Sequence, residues 1–348
     1  MVSAETTYPP ITPGPRVRLA QLAPYLGSHG VTLRYRPTLS DHEYLALSSP
    51  LRVAGPVQKA RALAKGLVRT LNSPEVADLV LVYRLRFLAP IPGAEPLRGL
   101  DVYDFDDALF VGTTLPWHRR LVWLKREAAR CRTYLSRARL VIAGNAYLAD
   151  SARPWARHIE VVPSCVDPSS QRLHKHAEKE PVRIGWIGSA STSRYLGELV
   201  PVFERLNANG PRAKLVIVGA GISVRAPWVE HRKWSLETER EELSNFDIGV
   251  MPLPDDPWTR GKCGYKLLQY FAAAVPAVAS PVGVNKAIIG NERGRLAKTE
   301  DEWFRALSEL IADVELRREI GSAARAFVER EFSYRRWAPE YARLLHQL

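Results

Sequence analysis

GKCGYKLLQYFAAAVPAVAS, residues 261–280, begins as a surface segment and ends as buried core. Gly261, Lys262, Gly264 and Lys266 come first, then small and apolar residues, then Pro276 and a short β-prone stretch. A helix that starts after glycine presents backbone N–H groups and the positive end of its dipole, a setting that suits a phosphate. Lys262 and Lys266 add charge at that end. Within the helix Lys266 and Gln269 stand three apart and share a face, while Leu267, Leu268 and Phe271 lie on the other. The same spacing also fits a buried helix with solvated lysines at its start.

Outward from this segment the second half alternates strand and helix patterns: VRIGWIGS (182–189), a helix near 195–208, AKLVIVGAG (213–221), a short strand near HRKWS, a helix over 237–245, FDIGVMPL (246–253), the quoted helix, VPAVAS (275–280), then helices to the end. The first half does the same. RVRLAQLAPYLGSHG reads as a helix ended by Gly27 or Gly30, VTLRYRP as a strand and RALAKGLVRTL as a helix. ADLVLVYR (77–84), GLDVYDFDD (99–107), ARLVIAGN (138–145) and HIEVVPSCVD (158–167) read as further strands. Between the halves, the polar stretch from Pro168 to Glu180 is a linker by composition. Two successive βα alternations in 348 residues, more than one core usually serves, predict two doubly wound α/β domains.

The composition, 46% apolar and 25% charged, is that of a folded protein. No stretch reaches the roughly 18 apolar residues of a membrane span, and the N-terminus lacks a charged head followed by an apolar run, so a cytoplasmic location is expected. Cys131, Cys165 and Cys263 are scattered, with no C-x-x-C spacing, and read as reduced thiols without metal. The net charge of +12 sits mostly in the first half: residues 1–180 carry 25 Lys/Arg against 16 Asp/Glu, and residues 181–348 carry 24 against 21. An acidic partner on that half is therefore expected, whether phosphorylated ligand, anionic membrane or nucleic acid.

KLLQYFAAAVPAVASPVGVN resembles the helix–Pro–strand–Gly segment of the family 4 glycosyltransferases. IGWIGSASTSRYL, LVIVGAG, NFDIGVMPLPDD and a final FSYRRWAPEYARLL match other pieces of that family in order. The likeness is good across 181–348 and looser from 8 to 167. It implies the GT-B fold, two facing Rossmann-like domains with a cleft between them: an acceptor domain over 1–170, a nucleotide-sugar donor domain over 171–332, and a C-terminal helix over 333–348 that crosses back. It also implies retention of anomeric configuration without metal or other cofactor, and domain closure about the 168–180 linker.

Carried over by position, the resemblance places Gly188 and Ser189 beside the donor diphosphate and Arg194 where relatives have a diphosphate-binding lysine. Arginine grips phosphate as well, often bidentately. Trp234 and Ser235 fall where the nucleobase is framed, Gly264 and Tyr265 at the start of the donor helix, and Gln269 where the family's second glutamate accepts bonds from the ribose. Gly261 stands where the first glutamate belongs, so Lys262 is expected to supply a diphosphate contact in its place. Arg194, Lys262 and Lys266 are the expected stabilisers of the leaving diphosphate.

In the first half, Pro9, Pro10, Pro13 and Pro15 stiffen a loop that leaves Arg16 and Arg18 on the acceptor side. Residues 1–7 read equally as a shortened first strand or a disordered leader. Asp104, Asp106 and Asp107 end a predicted strand; the pattern fits an acceptor or catalytic role, helix capping and salt bridging, or a Mg²⁺ site. The segment 117–139 holds eight Arg/Lys and one acid, Glu127, and fits a solvated basic helix or one lying on an anionic membrane. His118 is a candidate base there, or a structural histidine.

The reading is a retaining glycosyltransferase moving a sugar from a nucleoside diphosphate sugar, UDP- or GDP-linked, to a small-molecule, glycan or lipid-linked acceptor. Two other classes stay open: a non-catalytic nucleotide-binding scaffold of the same fold, suggested by Gly261, and a nucleic-acid binder, against which stands the absence of any basic–aromatic RNA motif or helix-turn-helix module. A sugar epimerase or phosphorylase on this fold also fits the residues.

Overall fold

The computed structural model describes residues 1–48, 55–71, 77–87, 99–112, 126–219 and 224–348. The chain divides into two units, Met1–Ser164 with Tyr334–Leu348, and Cys165–Ser333.

The first unit is built on six parallel strands: β1 (Val2–Thr6), β2 (Leu33–Pro37), β3 (Leu79–Tyr83), β4 (Val102–Phe105), β5 (Leu140–Ala143) and β6 (Ile159–Val161). Their order is β2-β1-β3-β4-β5-β6. Within residues 1–7, Val2–Thr6 thus forms an interior strand, with Ala4 facing Tyr35 on one side and Leu81 on the other. Small residues at Ser3 and Ala4, both buried, suit a strand covered on both faces. The expected helix over RVRLAQLAPYLGSHG is broken into a π-helical turn (Arg16–Ala20) and a short helix (Ala23–Gly27). Pro24 has no N–H to continue a helical ladder.

The second unit repeats the plan with β7 (Val182–Gly188), β8 (Ala213–Gly219), β9 (Val229–Arg232), β10 (Ile248–Met251), β11 (Ala277–Ala279) and β12 (Gly294–Leu296), all parallel in the order β12-β11-β10-β7-β8-β9. The helix Tyr265–Ala272 is the crossover from β10 to β11. It buries Leu267, Leu268, Tyr270 and Phe271 completely, and each such side chain contributes about 1.5–3 kcal/mol of transfer free energy. The edge strand β12 is three residues long, too short for a periodic pattern to announce.

The stretch 168–180 is not a free linker. His174 is buried, its N–H bonded to the Ala273 carbonyl at 2.8 Å and its Nδ1 2.8 Å from the Ser244 carbonyl. Its Nε2 lies 3.1 Å from Oδ1 of the buried Asp247, and Lys179 Nζ lies 3.0 Å from the same oxygen. A carboxylate out of water requires such partners, so the polar composition of this stretch serves the second unit's interior.

Candidate functional site

In an open parallel sheet, ligands bind beyond the C-terminal strand ends. Within the second unit the strand-end loops gather around Gly188, the last residue of β7, which pairs with Gly219, the last residue of β8. Lys266, in the first turn of the crossover helix, reaches back across it. Its Nζ lies 3.3 Å from Thr192 Oγ1 and 5.3 Å from the centroid of the Trp186 ring. A Cβ at Gly188 would fall 2.7 Å from Lys266 Cε and 2.8 Å from the Trp186 ring, so only glycine leaves the lysine this course.

The loop after β7 turns at once into helix. Ser189 is the N-cap, its carbonyl accepting from Thr192 N at 3.1 Å and Ser193 N at 3.2 Å. Arg194 opens the next turn; its Nη2 bonds Tyr195 Oη at 2.8 Å and its guanidinium lies 4.9 Å from that ring's centroid. At the end of β8, a Cβ on Gly219 would sit 3.6 Å from Trp234 Cβ, which places the β9 loop beside the same floor. The Trp234 indole N–H donates to Glu239 Oε2 at 2.7 Å, and Ser235 Oγ is 3.0 Å from Thr238 Oγ1. These bonds hold the loop's backbone in place.

The loop from β10 to the crossover helix is stiffened by its own bonds. Asp256 and Thr259 form a reciprocal capping box, and Thr259 Oγ1 also reaches the Pro254 carbonyl at 2.5 Å. Gly261 follows as the buried C-cap of the turn Pro257–Arg260. Lys262 Nζ then lies 4.8 Å from the centroid of the Trp258 ring. Gly264 has φ +67°, the left-handed conformation that lets Tyr265–Ala272 begin where it does. Gln269 is buried on this helix, one turn beyond Lys266.

The structure therefore brings together Gly188, Ser189, Lys266, Gly219 and Trp234. Lys262 and Ser235 lie on the surrounding loops and Arg194 at the start of the 3-10 turn Arg194–Leu199, each beside its own partner. Trp186 and Thr192, which fix Lys266, escaped individual mention in the sequence; the signal was the alternation of Trp186 with Gly188 and the hydroxyl-rich SASTS.

At the strand ends of the first unit, the three aspartates separate in role. Asp104 is fully buried and takes both Arg18 Nε at 3.0 Å and Arg18 Nη2 at 2.8 Å, with Tyr341 Oη donating at 2.7 Å. Arg18 is equally buried, and its Nη1 donates to the Val162 carbonyl at 2.7 Å. Burial alone would lower the Arg18 pKa, yet Asp104 outweighs it and raises it; on Asp104 itself burial prevails over Arg18 and Tyr341 and pushes the carboxyl above its ordinary value. The two side chains are engaged with each other inside the unit, which is the salt-bridging alternative for Asp104 and takes Arg18 away from the acceptor side expected for it. Arg16 is buried in the same turn.

Asp106 and Asp107 instead hold Arg84, which follows β3 with a positive φ of 56°. Arg84 Nε lies 2.6 Å from Asp106 Oδ1 and its Nη2 2.6 Å from Asp107 Oδ2, while Tyr83 Oη donates to Asp106 at 2.6 Å. Burial pushes the Asp106 carboxyl up, but Arg84 outweighs it and holds the group below the usual carboxylate range. His118, like residues 117–125 of the basic segment, lies outside the described residues. Among the described residues no group of three or more His, Cys, Asp and Glu side chains is placed to hold a metal ion. No described helix is long and apolar enough to cross a membrane. All three cysteines are free thiols.

Residues 181–313 match the family described as "Glycosyl transferases group 1". No curated protein matches the chain by sequence. Solved structures do match over its whole length. Sucrose-phosphate synthase from Thermosynechococcus elongatus shares 15% identity, covers 99% of this chain and 98% of its own, and superposes with a TM-score of 0.70. HepE of Anabaena, solved with UDP-glucose, shares 14% identity over all of both chains with a TM-score of 0.68. WaaG, a glycosyltransferase involved in lipopolysaccharide biosynthesis, shares 13% identity over 98% of each chain with a TM-score of 0.62. The likeness shows the GT-B fold.

Proposed function

From the premise that the second unit carries a group 1 glycosyl transferase domain, we propose that the protein transfers a sugar from a nucleoside diphosphate sugar to an acceptor hydroxyl, with retention and without metal. The observation that carries this reading is Lys266 stretched over Gly188, at the strand ends where a diphosphate would rest.

As the glycosidic bond breaks, negative charge grows on the leaving diphosphate. Preorganised cations and a helix N-terminus stabilise that charge most where water is excluded. Lys266 is held by a hydroxyl and an indole face, Lys262 by an indole face and Arg194 by a phenol ring. A cation on an aromatic ring gains about 0.5–2 kcal/mol, and a charge-assisted hydrogen bond about 1.5–3 kcal/mol. The exchange from ring to phosphate therefore favours the ligand. Lys262 supplies charge beside Gly261, where the family's glutamate is missing, and Gln269 offers an uncharged carbonyl for the ribose. In a front-face course the leaving phosphate oxygen takes the acceptor proton, so no protein base is required. The ionised Asp106, with Arg84 and Asp107, is the first candidate to contact acceptor polar groups.

The test is calorimetric titration of the intact protein with UDP, GDP, ADP and TDP, repeated on Lys266→Ala. HepE, solved with UDP-glucose, makes uridine the first choice. Binding of one nucleotide, weakened about tenfold or more by Lys266→Ala, supports the reading. Absence of binding by all four would favour a non-catalytic scaffold.

A further inference from the structure

Between β7 and β10 the sheet of the second unit parts early. Their pairing runs through Ile184 opposite Ile248 and ends with Gly185 opposite Gly249. Each strand then continues against its outer neighbour, β7 beside β8 as far as Gly188 and Gly219, and β10 beside β11 as far as Met251 and Ala279. The parting lies where the strand order reverses, for β8 and β9 follow on one side and β11 and β12 on the other. A parallel sheet opens its ligand crevice at such a point.

Tyr270 fills the parting. It comes from the crossover helix, four residues after Lys266 and next to Gln269, and it is fully buried. Its hydroxyl accepts from the Ile187 N–H at 3.4 Å and donates to the Val250 carbonyl at 3.3 Å. These are a main-chain donor of β7 and a main-chain acceptor of β10 beyond their last pair, so one phenol links the two strand ends. The ring lies against Gly249, where a Cβ would fall 2.3 Å from it, and Phe246 meets it edge-on with centroids 6.2 Å apart.

An apolar side chain would serve a core position on this helix, as Leu267, Leu268 and Phe271 do. A buried hydroxyl instead requires partners, and those it finds here are backbone groups at the floor of the site. Ile187 leads directly into Gly188, the residue that Lys266 crosses. The helix that carries the cation therefore also holds the glycine beneath it.

We propose that Tyr270 is a positioning residue of the donor site: its hydroxyl sets the end of β7 against β10 and so holds the Ile187–Gly188 backbone where the diphosphate rests under Lys266. The inference rests on the donor-site reading above and adds to it a fully buried residue that contacts no ligand itself.

Tyr270→Phe keeps the ring and removes the hydroxyl. In the ligand-free proteins, hydrogen exchange at the Ile187 amide should quicken about threefold to tenfold in the variant, the worth of one hydrogen bond. Calorimetry with UDP, GDP, ADP and TDP should show the bound nucleotide weakened by a similar factor of about threefold to tenfold. Its nucleoside, measured in competition with the nucleotide, should bind parent and variant alike, because it does not reach the Ile187–Gly188 turn. If Tyr270 only fills the core, the variant will melt lower while its folded form binds nucleotide as the parent does, which overturns the inference. Unchanged exchange at Ile187, or equal losses of nucleotide and nucleoside, overturns it too. Failure of the parent itself to bind any of the four nucleotides is a separate outcome: it overturns the donor-site reading, and this inference with it.

Discussion

Lys266 occupies the space that a side chain at Gly188 would take: a Cβ there would stand 2.7 Å from its Cε. The two residues come from different elements, the end of β7 and the start of the crossover helix, so the glycine positions the cation. Gly188→Ala should weaken nucleotide binding about tenfold by displacing Lys266, and so should Lys266→Ala. The double variant should lose little more than either single one, because both remove the same contact. Calorimetry on the four proteins checks this. Additive losses would mean that Gly188 acts through something other than Lys266.

If Arg194, Lys262 and Lys266 stabilise the leaving diphosphate, their alanine variants should reveal it in kcat. The expected loss is about 10²–10³ for each, with a smaller rise in KM, as for a donor aimed at transition-state charge. Steady-state turnover of the donor identified by titration is the measurement. A rise in KM at constant kcat would assign the residue to ground-state binding alone.

Removing the Asp104 charge leaves Arg18 buried without its counter-ion. Asp104→Asn should cost about 3–5 kcal/mol, and Tyr341→Phe about 1.5–3 kcal/mol. Replacing both charges, Arg18→Met with Asp104→Leu, should recover most of the loss, since similar-volume apolar pairs often equal a buried ion pair. Calorimetric melting decides it. If Asp104→Asn instead leaves melting unchanged while abolishing turnover, Asp104 belongs to the chemistry.

His176 makes the second unit acid-sensitive. Burial foremost, then His174, lowers its pKa to about 4. It faces Asp247, Arg317 and His174, with Lys179 on Asp247. In the unfolded chain a histidine titrates near pH 6.5. Between pH 6.5 and about 4 the unfolded state therefore holds more protons, and stability falls as pH falls through that window. His176→Gln should flatten the slope there in denaturant melts taken from pH 7 to 4. An unchanged slope would assign it to other groups.

The positions of β7, β8 and β10 were legible because they are apolar runs bounded by glycine or proline, the pattern of strands buried on both faces. The first strand stood only as one of two readings, since VSAET achieves the same burial with small and polar residues. At the site, residue types pointed to Lys266 and Gly188, but their meeting requires the crossover from β10 to β11. Asp104 shows the reverse: three neighbouring carboxylates look alike in sequence, and only Arg18 and Tyr341, 86 and 237 residues away, single out the one withdrawn from solvent. Composition likewise mistook 168–180 for a linker, because polar residues that compensate Asp247 resemble polar residues that face water.

The last helix, Tyr334–His346, supplies Tyr341 to Asp104 and stacks Tyr334 on Tyr25 at 5.3 Å. During synthesis, Val2 to Ser164 leave the ribosome first, yet this part of their core is completed only after Cys165–Ser333 has emerged. The later, contiguous unit can close before the earlier one does. Loss of the final turns would therefore injure the unit made first, at the opposite end of the chain from the lesion.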